Sequence, residues 1–187
     1  MPSLYRTIPP GRDPPWDLNV IIEIPEGGEA VKYEFDADLG VMRVDRFLHT
    51  AMTYPGNYGF IPGTLADDGD PHDVLIVGQA PVVPGCLVRV RPIGALMMSD
   101  EAGGDDKIIG LPVDALNPAL REIRTCAELP DILLKRVAHF FRHYKDLETG
   151  KYVSEPRWAD ADAAAALVMR AIKQKSGRDN CTASKDQ

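Results

Sequence analysis

The rhythm of apolar and polar residues changes about two-thirds of the way along the chain. Before that point the apolar residues alternate or gather in short runs. Residues 20–24 (VIIEI) read as a strand closed by Pro25. Residues 31–35 (VKYEF) alternate, with Lys32 and Glu34 on one face and Tyr33 and Phe35 on the other. Further strands are predicted over 41–46, entered through Gly40, and over 74–77, 87–91 and 107–111. Many short strands punctuated by Gly and Pro predict a barrel or a sandwich.

The last third has helical spacing. Pro130 and Asp131 mark a helix start and Gly150 its end, with Leu133, Val137, Phe141 and Tyr144 recurring between them. A second helix is expected over about 160–175. Asp160 serves as its N-cap, Ala163 to Ala166 favour the helix, and Asp162, Lys173 and Lys175 suit its dipole. Gly177 is the expected stop. The polar, aperiodic residues 176–187 are expected to be a disordered tail. With neither repeats nor a linker, residues 1–175 read as one domain.

Composition changes the picture only where charge is concerned. The 187 residues hold 28 Asp plus Glu against 21 Lys plus Arg, for a net charge of −7. Residues 67–73 carry Asp67, Asp68, Asp70 and Asp73, and residues 100–106 carry Asp100, Glu101, Asp105 and Asp106, with no Lys or Arg in either window. Those eight acids leave 20 acids against 21 bases elsewhere. The chain is a near-neutral scaffold with two acidic hot spots. That balance argues against a nucleic-acid partner and against an anionic membrane surface. The Pro-rich start has no apolar core of a signal peptide, and no uncharged run is long enough for a bilayer. Cys86, Cys126 and Cys181 are odd in number and widely spaced, which fits a reducing cytoplasm rather than a disulfide framework or zinc site.

Carboxylates packed this closely repel one another unless cations sit among them. Oxygen-only donors suit Mg²⁺, Mn²⁺ or Ca²⁺ rather than zinc. Gly69 permits a tight loop, and Pro71 biases Asp70 toward extended backbone. The first window alone reads equally well as a solvated turn, and the second alone reads more readily as a solvated hairpin loop. An EF-hand fails, because Asp73 and Gln79 stand where Gly and Glu are needed. Two such windows, each beside a strand, can converge on one cavity. An anionic substrate would complete the coordination, with Lys32, Arg46, Lys107 and Lys145 as cationic partners and Tyr54, Tyr58 and Tyr144 as donors. A lone Lys or Arg is commonly a solvated charge, and Tyr144 at helical spacing suits a core equally. His139 and His143, one turn apart, read as an interface or packing pair.

These motifs resemble the family I soluble inorganic pyrophosphatases of the bacterial type. The loop 68–74 (DGDPHDV) is similar to the signature of that family. Residues 20–25 (VIIEIP), 32–36 (KYEFD), 44–47 (VDRF), 54–59 (YPGNYG), 100–107 (DEAGGDDK) and 139–147 (HFFRHYKDL) follow its blocks in order, and the resemblance covers roughly residues 15–175. It implies an α+β fold, mainly β: a small closed five-stranded OB-like barrel flanked by two helices. It implies magnesium-dependent hydrolysis of inorganic diphosphate to two phosphates, by direct attack of a metal-activated water without a covalent intermediate. Several Mg²⁺ ions would bind per subunit, with Mn²⁺ or other divalent ions as substitutes. Asp68, Asp73, Asp105 and Asp100 fall at metal positions, and Asp70 at the general base. Lys32, Arg46, Tyr58, Tyr144 and Lys145 fall at phosphate-contacting positions. Glu23, Glu34, Tyr54, Glu101 and Lys107 match other active-site positions. A homo-oligomer is implied, a hexamer by the resemblance, with His139 and His143 near a subunit contact.

Two departures stand out. His72 replaces an apolar residue, and alternation aims it away from the cavity. Gly56 stands where some relatives carry Cys, which should loosen that turn. Three rival functions remain on the residues alone. A non-catalytic metal-binding barrel does not call for the cations at that spacing. An OB-type nucleic-acid binder needs a basic groove. A nucleoside-diphosphate hydrolase needs a Glu-rich helix motif that is not visible.

Overall fold

The computed structural model describes residues 4–78, 80–101 and 103–183. Among these the chain forms, in order, β1 (Gly11–Asp13), β2 (Asp17–Ile24), β3 (Val31–Asp36), β4 (Val41–Phe47), β5 (Asn57–Phe60), β6 (Asp73–Ile76), β7 (Leu87–Met97), β8 (Ser99–Asp100), β9 (Gly103–Gly104), β10 (Lys107–Pro112), α1 (Asp131–His143), β11 (Arg157–Ala159) and α2 (Ala161–Ala183). Strands β2, β5, β6, β10 and β7 pair in that order, and β7 returns to β2, closing a five-stranded barrel. The β6–β10 pair is parallel and the other four are antiparallel. Strands β1 and β11 extend β2 and β7, while β3–β4 and β8–β9 are separate hairpins. The expected mainly β fold with a small barrel and two helices is what the chain forms.

The central strands are apolar on both faces because both faces are covered. Leu75, Val77, Ile109 and Leu111 pack with Val137, Phe140 and Phe141 of α1. Val74, Ile76 and Ile108 pack with Ala164, Leu167 and Val168 of α2. Strand β2 serves both clusters through a bulge. Ile22 pairs with Gly59 and Ile24 with Tyr58, so Glu23 is an extra residue. The alternation shifts there: Leu18, Val20 and Ile22 join the α2 cluster and Ile24 the α1 cluster.

Both helix ends differ from expectation. Helix α1 stops at His143, well before Gly150. The chain then tightens into i→i+3 turns, with Asp146 N–H on His143 C=O at 3.1 Å and Glu148 N–H on Lys145 C=O at 2.8 Å. Gly150, at φ +77°, belongs to the last of these turns rather than to the helix. Helix α2 begins as expected, with Asp160 accepting from the Ala163 N–H at 2.8 Å. It then runs through Gly177 to Ala183. A glycine ends a helix by taking a left-handed backbone, and Gly177 does not take one. Residues 176–183 of the expected disordered tail are therefore helical, and 184–187 lie outside the described residues.

Candidate active site

Parallel pairing brings the two acidic windows together. In the β6–β10 register Val74 lies beside Ile108, so the residues that open each strand, Asp73 and Lys107, stand side by side. Asp105 precedes Lys107 by two residues. The Lys107 ammonium bonds to Asp73 of the first window and to Asp105 of the second, so the two windows meet at one buried cation. The expected convergence of the two windows is thus present in the fold.

The first window is a closed loop. Ala66 N–H bonds to the Asp70 C=O at 2.7 Å, and the Asp68 carboxylate accepts the Asp70 N–H at 3.0 Å. Gly69 turns the tip at φ +95°, a region that favours glycine. Asp68 and Asp70 are exposed at that tip. Burial, followed by the neighbouring Asp68 and Asp73 charges, holds the Asp70 carboxyl above its ordinary range. His72 is buried on the α2 side, with Leu167, Arg170 and Ala171, while Asp73 beside it turns to Lys107 and Tyr58, the alternation expected of neighbouring strand residues. Gly56 reverses the expectation. A Cβ there would lie 2.6 Å from the Ile76 carbonyl oxygen, so glycine makes this turn tight rather than loose.

Lys107 dominates the electrostatics. Its side chain is 3% exposed, and its ammonium bonds to Asp73 at 2.5 Å and to Asp105. Burial opposes the charge on Lys107, but the two carboxylates raise its pKa far above the ordinary lysine range. Burial likewise opposes ionisation of Asp73, yet Lys107 and then the Tyr58 hydroxyl hold its carboxyl below the usual range. Asp105 is raised, by burial and by the Asp73 charge, despite the same lysine. The two carboxylates compete for one ammonium, and Asp73 has the extra donor.

A second charged group sits on the β3–β4 hairpin. Lys32 bonds to Glu34 at 2.6 Å and lies 3.5 Å from Asp45. Arg46 bonds to Asp45 at 2.7 Å and to Glu148 at 3.3 Å. Lys32 pairs with Arg46 and Tyr33 with Val44, which makes Asp45 a bulge residue. The bulge lets adjacent Asp45 and Arg46 meet, as consecutive residues of a regular strand do not. Arg46 and Lys32 both have raised pKa values: burial opposes the charge, but the carboxylates outweigh it. Glu23, the β2 bulge residue, accepts the Phe35 N–H at 2.7 Å and ties this hairpin to the barrel. Burial pushes its carboxyl up to about 8.

Tyr54, Tyr58 and Tyr144 form the aromatic floor with Phe140. Ring centroids are 5.1 Å apart for Tyr54–Tyr58, 4.6 Å for Tyr54–Phe140 and 5.2 Å for Phe140–Tyr144. Burial raises all three phenols well above the ordinary tyrosine value, so they act as neutral hydroxyls. Buried Lys145 follows Tyr144 and bonds to Asp100 at 2.6 Å, and Lys151 bonds to Glu101. Among the described residues no three His, Cys, Asp or Glu side chains are drawn together tightly enough to hold a metal ion. Ammonium groups stand between the acids instead: Lys107 at Asp73 and Asp105, and Lys145 at Asp100.

The family model described as inorganic pyrophosphatase matches residues 20–176. The chain belongs to the inorganic pyrophosphatase family. It is 59% identical over 164 residues to the inorganic pyrophosphatase of Caulobacter vibrioides, covering 88% of this chain and 93% of that protein. The solved inorganic pyrophosphatase of Coxiella burnetii is 46% identical, with a TM-score of 0.86, and covers 89% of this chain and 99% of that one. That of Thermus thermophilus is 41% identical, with the same TM-score of 0.86, and covers 92% and 98%.

The family match spans every candidate residue from Glu23 to Lys145. Sequence reasoning missed Asp45 and Glu148, the two carboxylates that hold Arg46. Asp45 follows from a bulge that no alternation pattern reveals. Glu148 lies in the turns that follow α1 and reaches Arg46 at 3.3 Å across 102 residues of chain. Asp106 counts among the acids of the second window but had no assigned role; it accepts the Met98 N–H at 3.0 Å and fastens that window to the end of β7.

Proposed function

We propose that this chain hydrolyses inorganic diphosphate to two phosphates with the help of Mg²⁺, without a covalent intermediate. The observation that carries this reading is the meeting of Asp73 and Asp105, one from each acidic window, at the buried Lys107 ammonium beside Tyr58. Family membership supports the same reading.

The donor chemistry fits a hard divalent ion. Asp68, Asp73, Asp105 and Asp100 offer only carboxylate oxygens. The raised Asp70 and Asp105 carboxyls mark a place where negative charge is crowded and a cation brings relief. Those four aspartates would hold Mg²⁺, or Mn²⁺ in its place. A bound ion would offset charge on diphosphate and ease deprotonation of water.

The protein's own groups do the rest. Asp70 stands exposed at the loop tip and takes the proton from the attacking water. Its raised pKa makes it a better base than an ordinary carboxylate. Lys32, Arg46 and Lys145 bind phosphate oxygens, and Arg46 does so through its fork of donors. The neutral Tyr144 hydroxyl donates to the leaving phosphate; Tyr58, whose single proton is on Asp73 here, would turn to phosphate when a cation takes up Asp73, and Tyr54 supports them. Glu23 holds the hairpin to the barrel, Glu34 orients Lys32, Lys107 keeps Asp73 ionised, and Glu101 is held by Lys151. Phosphoryl transfer asks mainly for such positioning and charge stabilisation.

The proposal includes one domain over residues 1–175, a cytoplasmic location and a homohexamer with His139 and His143 near a subunit contact. Among the described residues no helix is long and apolar enough to cross a membrane. Phosphate release from inorganic diphosphate, measured with Mg²⁺ and again with excess chelator, tests the reading. Release that depends on Mg²⁺ is expected. No release in either condition overturns it.

A further inference from the structure

We propose that Thr64 is a positioning residue for the acidic loop, and that its hydroxyl sets the affinity of the site for the divalent ion. The inference rests on the metal-site reading above and adds a residue that neither charge nor pattern singles out.

The loop over residues 64–73 leaves β5 and returns at β6. Thr64 sits at its base, 3% exposed. Its hydroxyl donates to the Ile61 C=O at 2.6 Å and accepts the His72 N–H at 2.9 Å. The Ile61 N–H also bonds to the His72 C=O at 3.0 Å. Ile61 and His72 are therefore bridged twice, once directly and once through a hydroxyl used in both directions. His72 is the residue before Asp73, so this bridge fixes where the first carboxylate of β6 starts.

Other ties on the loop are weaker candidates. Arg170 and Gln174 of α2 both reach Asp67, each at 3.1 Å, but these contacts are exposed. An exposed ion pair contributes little. Hydrogen bonds in the dry interior are stronger, and leaving one unmade is costly. Thr64→Val keeps the shape but removes both bonds. The His72 amide then loses its acceptor, and the base of the loop is free to shift. A change in carboxylate position of a fraction of an ångström matters to a small ion that demands near-ideal geometry.

The test uses the full chain stripped of metal, with Mg²⁺ alone titrated by calorimetry. Thr64→Val is expected to raise the Kd for Mg²⁺ about tenfold, because part of the stabilisation lost with its two buried hydrogen bonds falls on the metal-bound state. Thr64→Ser restores the hydroxyl and is expected to stay within about twofold of wild type. Hydrogen exchange at the His72 and Asp70 amides is expected to speed up in Thr64→Val but not in Thr64→Ser. Should Thr64→Val fail to fold, Thr64→Cys, whose thiol bonds weakly, takes its place with the same expectations. An unchanged Kd in the hydroxyl-free variant overturns the proposal, as does a serine variant equally impaired. If the wild-type chain binds no Mg²⁺, the metal-site reading fails. The exchange comparison then decides Thr64 by itself, and unchanged amide exchange overturns its role.

Discussion

Lys107 holds Asp73 at 2.5 Å because β6 and β10 run parallel with Val74 beside Ile108. One buried ammonium is shared between Asp73 and Asp105. Removing it leaves two partly buried carboxylates without their partner. Lys107→Met is therefore expected to cost about 3–5 kcal/mol of stability in the presence of chelator. Added Mg²⁺ should restore part of that loss, since a cation replaces the missing charge. Denaturant unfolding with and without Mg²⁺ measures both effects. A chelator midpoint equal to wild type contradicts this role for Lys107.

Asp70 and Asp73 are three residues apart and are expected to fail differently. Asp70→Asn should lower kcat by about 10²–10⁴ while metal affinity stays near wild type, the usual weight of a general base. Asp73→Ala should raise the Mg²⁺ concentration needed for half-maximal activity. Steady-state kinetics at several Mg²⁺ levels separate the two. An unchanged kcat removes Asp70 from the role of base, and matching Mg²⁺ curves remove Asp73 from the ligand set.

Glu23 ties stability to pH. Its carboxyl is pushed up to about 8 in the fold against 4.5 ordinarily, chiefly by burial. The native state keeps a proton that the unfolded chain has already lost, so stability falls as pH rises from about 5 to 8. One proton is worth at most about 1.4 kcal/mol per pH unit. Glu23→Gln should flatten that slope when unfolding is followed in chelator across the window. Parallel curves for the two proteins would show that Glu23 is ionised in the native state.

Gly56 tests the tight turn before β5. A methyl group there meets the Ile76 carbonyl oxygen at 2.6 Å, and a backbone atom cannot move aside cheaply. Gly56→Ala is expected to destabilise the protein by about 1–3 kcal/mol. A shift within about 0.5 kcal/mol in chemical unfolding would mean that the turn relaxes without strain.

Alternation and turn residues are local properties, and they placed most strands of the barrel. Leu87 to Arg91 showed only the start of β7, because the strand continues through Pro92 and Gly94 to Met97, where the local signal is poor for a strand. Gly150 and Gly177 misled in opposite ways. The same residue type serves a turn in one place and passes through a helix in the other, and only the backbone conformation distinguishes them.

The candidate site divides along the same line. Sequence by itself determined which groups are available: two carboxylate loops, a few cations and three phenols, in an order matching the family. It also determined the local loop, since Gly69 and Pro71 shape the residues around Asp70. Tertiary structure decided the partners. The bulges at Glu23 and Asp45 re-aim side chains against the strand pattern. Parallel pairing seats Lys107 between Asp73 and Asp105, and Thr64 reaches His72 across a folded loop. Those relationships join residues far apart in the chain or out of step with its period. They are set by strand register and burial, which arise only when the whole barrel closes.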